Sequence, residues 1–109
     1  MNSAVVWERT RQLLEEAPIQ GSDVDAKVRQ LLNAEYLRKI NQYRRTDTTL
    51  SQKYGMTFEQ FVARRVAREK QYSQEVETDA MAWETAISGI ATMERKLDEL
   101  REAGLVPRG

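Results

Sequence analysis

The sequence predicts an all-α protein: an elongated helical hairpin of two long helices, with a short connecting helix and an N-terminal helix packed alongside. Three observations carry this expectation. Apolar residues recur in steps of three and four over two spans of about thirty residues, the period of a helix with one buried face. Only five Gly and two Pro interrupt the 109 residues. The chain is 40% apolar and 31% charged, a mixture that suits amphipathic helices better than a β-sandwich or a disordered chain.

The first helix is expected to start after Ser3, a good N-cap, and to end before Pro18. Val6, Trp7, Thr10, Leu13, Leu14 and Ala17 form its apolar stripe, and Trp7 reads as a core residue. Ser22 with Asp25 then resembles a capping box with an acidic first turn. From there Val28, Leu32, Tyr36, Ile40 and Tyr43 trace a stripe that Val24, Leu31 and Leu37 widen, and it resumes at Leu50 and Tyr54. This predicts one long helix over residues 23–54. Its weak point is the polar stretch 44–49, which holds three Thr within four residues, a poor helix former. Gly55 supplies the stop, suited to a left-handed C′ position.

The next boundary is the most clearly written. Thr57 and Gln60 have the spacing of a capping box, and Met56 and Phe61 occupy the two positions of a hydrophobic staple. A helix therefore begins at Phe58, with Phe58, Phe61, Val62 and Val66 on its apolar face and Arg64, Arg65, Arg68 and Lys70 on a basic one. Ser73 is able to cap a fresh helix, although no Gly or Pro forces a break after Thr57 until Gly89. Val76, Ala80, Trp83, Ile87, Ile90, Met93, Leu97 and Leu100 then mark a long final helix, ending at Ala103 with Gly104 as its C′ residue. Ala82, Ala86 and Gly89 place small residues along one side. A helix-interior Gly costs about 1 kcal/mol relative to Ala, and close approach of another backbone would compensate.

Helices of about 31 residues at 1.5 Å per residue run roughly 46 Å. A compact chain of this size has a radius of gyration of only about 13 Å, so the expected shape is extended. Its thin core would leave apolar surface uncovered, and a homo- or hetero-oligomer is expected. Residues 1–104 read as a single helical domain. The tail at 105–109, LVPRG, resembles a thrombin-cleavage linker from expression vectors and equally continues smoothly out of the Gly104 cap.

Composition narrows the chemistry. The chain has no Cys and no His, so it lacks a thiol nucleophile, a thiolate metal site, the commonest general base and the commonest metal ligand. It also lacks a Gly-rich phosphate loop and a nucleophile–base pair, so an enzyme is not expected, nor is any cofactor. No apolar run approaches the roughly 20 residues that span a bilayer, and no secretory signal is evident. The expected location is the cytoplasm.

Net charge is zero, yet unevenly spread. Residues 1–35 carry six acids and four bases, residues 36–70 three acids and nine bases, and residues 71–109 eight acids and four bases. Either the two long helices complement one another when antiparallel, or the charged surfaces meet a partner. On the acidic side stand Glu75, Glu77, Asp79 and Glu84. Without His to complete a bundle-type carboxylate site, a solvated face or a docking surface for a basic partner fits better than a metal centre. On the basic side stand Arg38, Lys39, Arg44 and Arg45, then Arg64, Arg65, Arg68 and Lys70, with Tyr36, Tyr43 and Tyr72 interspersed. Direct nucleic-acid contact is the weaker reading here, because the chain is neutral overall and no helix-turn-helix pattern is evident.

The stretch KYGMTFEQF at residues 53–61 resembles the YGM-S/T-x-E-x-F segment of small prokaryotic antitoxin-like helical proteins, components of toxin–antitoxin systems. Downstream of that segment those proteins carry an acidic stretch and an aromatic–Glu pair, matched here at residues 75–79 and by Trp83-Glu84. The similarity spans roughly residues 28–100. The N-terminal extension with Trp7 and the long uninterrupted last helix depart from that pattern. The resemblance implies a protein that masks a toxin, often a ribonuclease-like one, by direct binding. On that reading Glu75, Glu77, Asp79 and Glu84 meet basic residues of the toxin, while Trp83, Ile87 and Ile90 supply a buried anchor. The rival reading is a self-associating helical module that scaffolds a larger complex.

Overall fold

The computed structural model describes residues 3–64, 66–69, 71 and 73–102, with side chains from residue 6 onward. Arg65, Lys70, Tyr72, the helix end at Ala103 and Gly104, and the tail at 105–109 lie outside the described residues. Five helices follow in order: α1 (Ser3–Glu16), α2 (Val24–Tyr54), α3 (Phe58–Ala63), α4 (Val66–Glu69) and α5 (Gln74–Glu102). The principal packing is α2 against α5. Late residues of α2 meet early ones of α5, and Arg44 meets Glu94 further along, so the pair is an antiparallel hairpin. The radius of gyration is 19.7 Å and the extents are 56 × 37 × 20 Å, the elongated shape that rod lengths of this order require.

Helix ends follow local chemistry, with two corrections at the N-terminal side. Ser3 lies within α1 rather than ahead of it as a cap. Asp23, not Ser22, caps α2: its extended backbone lets Oδ1 accept a 2.8 Å hydrogen bond from the Ala26 N–H, and its carboxylate also faces the positive end of the helix dipole. The Thr-rich stretch does not interrupt α2. There Asp47 is held by Trp83 of α5, so a tertiary contact offsets weak propensity. Gly55 ends α2 in the left-handed conformation at φ 66°, its N–H donating to the Ser51 carbonyl at 2.8 Å. The capping box forms in full: Gln60 N–H donates to Thr57 Oγ1 at 3.1 Å, and Thr57 N–H to Gln60 Oε1 at 2.9 Å. Ser73 opens α5 by accepting from the Val76 N–H at 3.3 Å.

The core is richest at the closed end of the hairpin, where Leu50, Phe61, Val66, Val76 and Trp83 form one buried cluster backed by Tyr54, Met56 and Phe58. Ile40, Ala86, Leu97 and Leu100 continue it along the rods. All eight stripe residues of α5 are buried or half-buried. Ala86 and Gly89 admit a close neighbour as the small-residue pattern suggests, but at Gly89 that neighbour is an aromatic ring and not a backbone. A Cβ built there would stand 2.6 Å from Cδ2 and Cζ of Tyr43.

The first helix departs most from expectation. Its main packing partner is α2, and only Leu14 and Ala17 of the stripe are half-buried. Val6, Trp7 and Leu13 stay 48%, 50% and 64% exposed, so Trp7 is not a core residue. What ties α1 down is polar: Lys27 Nζ donates to the carbonyls of Leu14, Glu15 and Ala17 at 2.8, 2.8 and 3.0 Å. One ammonium thus spends its three donors on carbonyls at the end of the helix.

Candidate interaction surface

Two regions carry the residues singled out from the sequence, and they differ in how completely the chain satisfies them. The first is the closed end. Trp83 is fully buried, with Phe61, Phe58 and Tyr54 rings at centroid distances of 5.1, 5.5 and 6.0 Å. Phe61 also meets Tyr54 edge-on at 5.1 Å. These offset and tilted arrangements are the favourable ones for aromatic quadrupoles. The indole N–H, which has no access to water, donates to Asp47 Oδ1 at 2.8 Å. As an anchor for an external partner Trp83 is therefore unavailable: it fastens α5 to α2. Ile87 packs against the same cluster, and Ile90 is half-buried.

The acidic residues divide by helix face. Lys53 Nζ bridges Glu75 Oε1 and Asp79 Oδ2, both at 2.6 Å, and Tyr54 donates its hydroxyl to the same Asp79 oxygen at 2.6 Å. Lys53 occupies the place a cation would take between those carboxylates. Hydrogen bonds from Lys53 and then Tyr54 hold the Asp79 carboxyl below its ordinary range. Burial, then the bond to Asp79, pushes the Tyr54 phenol up to about 12. The two carboxylates raise the Lys53 ammonium. Glu77 and Glu84 instead point outward on α5 with no ion-pair partner among the described residues, and the 70%-exposed Met81 lies between them.

The basic residues are spent in a similar way. Arg38 pairs with Glu35 on its own helix, at 2.9 and 2.6 Å. Lys39 lies 5.9 Å from the Tyr43 ring centroid, and Arg44 reaches Glu94 at 2.9 Å. Arg45, Arg64 and Arg68 are exposed, while Arg65 lies outside the described residues. Part of the uneven charge along the chain thus serves α2–α5 pairing at Lys53–Glu75–Asp79 and Arg44–Glu94.

The second region is an arm made by α1 and the start of α2. Val6, Trp7 and Leu13 of α1 are exposed, as are Leu31, Leu32 and Leu37 of α2. Trp7, Glu15, Asp23, Val24 and Lys27 are among the residues lining an open cleft of about 610 Å³ between the two helices. Of the eight large apolar side chains left exposed among the described residues, Val6, Trp7, Leu13, Leu31 and Leu32 belong to this arm, Leu37 borders α5, and Val62 and Met81 stand apart. Val62, expected on the apolar face of α3, is 55% exposed, while Phe58, Phe61 and Val66 turn into the cluster.

Asp47, Lys53, Tyr54 and Lys27 hold the architecture together, and sequence reasoning did not assign them those roles. Asp47 carried a usable signal: it falls between Tyr43 and Leu50 on the apolar stripe, where a carboxylate needs a donor from across the core. Lys27 carried none, since its three carbonyls are 10 to 13 residues away. Comparison with known protein families, with curated proteins and with solved structures finds no match.

Proposed function

We propose that this chain is a non-enzymatic protein-interaction module, which presents the apolar α1–α2 arm to another protein and uses the α2–α5 hairpin as its rigid support. The observation that carries this reading is the contrast within one molecule. The closed end buries Trp83 completely, whereas the arm leaves Trp7 and four aliphatic side chains 38–64% exposed. Large apolar side chains left exposed in number on one part of a molecule favour a contact site there. The resemblance around residues 53–61 adds a candidate role: an antitoxin-like protein that masks a toxin. In that case the outward carboxylates Glu77 and Glu84 supply charge complementarity to a basic client, and the arm supplies the buried area.

This role predicts a short neighbouring reading frame for a basic protein, and the test is co-expression with its product. A complex should co-purify and be disrupted by Leu31→Asp or Leu13→Asp, and only the wild-type chain should relieve that protein's toxicity. A complex that forms equally well with both Asp variants would remove the arm from the interface.

A further inference from the structure

The apolar stripe of α1 is flanked by charges that are self-complementary, and this identifies what covers it. Val6, Thr10, Leu13 and Ala17 succeed one another at intervals of four, three and four, so they share one face. Arg9 and Glu16 stand seven residues apart, two turns along the same flank of that stripe, both exposed and without an ion-pair partner among the described residues. The charges on the far side of α1 are satisfied within the helix, because Arg11 pairs with Glu8 at 2.9 Å and with Glu15 at 2.5 Å.

We infer that α1 pairs antiparallel with α1 of a second copy of this chain, about a two-fold axis passing between Thr10 and Leu13. In that register Val6 faces Ala17 of the partner subunit, a medium residue against a small one, and Thr10 faces Leu13 of the partner subunit. The flank then brings Arg9 opposite Glu16 of the partner subunit, and Glu16 opposite Arg9 of the partner subunit. Two identical ion pairs result from one pattern, as an isologous interface demands. Trp7 comes beside Leu14 of the partner subunit, which buries the half of the indole left open in the single chain. A parallel pairing sets this flank against the Trp7–Leu14 flank of the partner subunit, so neither Arg9 nor Glu16 gains an ion pair.

This inference rests on the reading of the arm as a protein-contact surface and names its occupant. Sedimentation equilibrium of the full chain over a wide concentration range tests it, with far-UV circular dichroism to confirm folding. The wild type is expected to rise from 12.6 kDa towards twice that mass. Leu13→Asp is expected to stay at the single-chain mass. R9E and E16R each turn two attractive pairs into two repulsive ones and weaken association by about tenfold or more, while the double variant R9E/E16R restores it. A wild type that remains a single chain throughout overturns the pairing, as does a double variant no better than the single ones. Either result leaves the arm as a contact surface to be judged separately, by whether Leu13→Asp and Leu31→Asp disrupt the complex with the neighbouring gene's product.

Discussion

Replacing Gly89 by Ala sets two effects of known size against each other. A helix-interior Ala is worth about 1 kcal/mol over Gly, so on propensity alone the substitution stabilises α5. The added methyl, however, would lie 2.6 Å from Cδ2 and Cζ of Tyr43, where carbon atoms prefer about 3.5–4.0 Å. The ring must therefore retreat by about 1 Å or swing out, losing its seat between the rods, and such overpacking costs about 1–3 kcal/mol. The net expectation is a loss of about 0–2 kcal/mol, with a melting temperature lower by about 4–8 °C for each kcal/mol lost. In a Tyr43→Ala background the methyl enters vacated space, so the same substitution should stabilise by about 1 kcal/mol. Urea unfolding of the four variants, monitored at 222 nm, measures both effects. Stabilisation by Gly89→Ala of equal size in both backgrounds would show that Tyr43 does not lie on Gly89, and would refute this part of the α2–α5 packing.

Other expectations concern single polar contacts. Asp47→Ala leaves the buried indole N–H of Trp83 without an acceptor and should cost about 1–3 kcal/mol, whereas Asp47→Asn keeps an oxygen in place and should cost distinctly less. Urea midpoints at constant m-value separate the two. Lys27→Met removes three hydrogen bonds from the last turn of α1 while keeping the aliphatic stem, and should raise amide exchange across Ser3–Glu16 with little change in α5. The Lys53–Tyr54–Asp79 cluster shapes stability at both pH extremes. Asp79 binds its proton less tightly folded than unfolded, so its contribution is present above about pH 3.9 and fades as the pH falls through its depressed folded value. Tyr54 and Lys53 hold their protons more tightly when folded. Their contribution is present below about pH 10 and fades as the pH rises, for Tyr54 through about 12. Asp79→Asn should flatten the acid limb of the denaturation midpoint plotted against pH.

Legibility from sequence tracked how local the determining physics was. Gly55 and the Thr57–Gln60 box were readable because a left-handed stop and a reciprocal cap are set by residues within one turn. The α5 stripe was readable because its steps of three and four are unbroken across Val76, Ala80, Trp83, Ile87, Ile90, Met93, Leu97 and Leu100, all buried or half-buried. Burial in α1 was not, since an amphipathic stripe states that a helix wants a partner and leaves unsaid whether its own chain provides one; Val6, Trp7 and Leu13 are the result. The cluster of Glu75 and Asp79 had the same ambiguity. Its resolution depended on Lys53 arriving from 22 and 26 residues away, a pairing that appears only once α2 and α5 are folded antiparallel. The break of the connecting segment into α3 and α4 involves Arg64 as the C-cap of α3 and Gln71 at φ 57° beyond α4, with no Gly or Pro to announce it.

If the arm, not the closed end, is the contact surface, the two tryptophans report on each region separately. Acrylamide quenching of the wild type and of Trp7→Phe, at low and high protein concentration, monitors both. Trp83 should resist quencher throughout, while Trp7 should be accessible in the dilute protein and become shielded as copies associate. A Trp7 that stays equally quenchable at every concentration and in the complex with the neighbouring gene's product, or a Trp83 that quenches freely, would contradict the assignment of the arm as the contact surface.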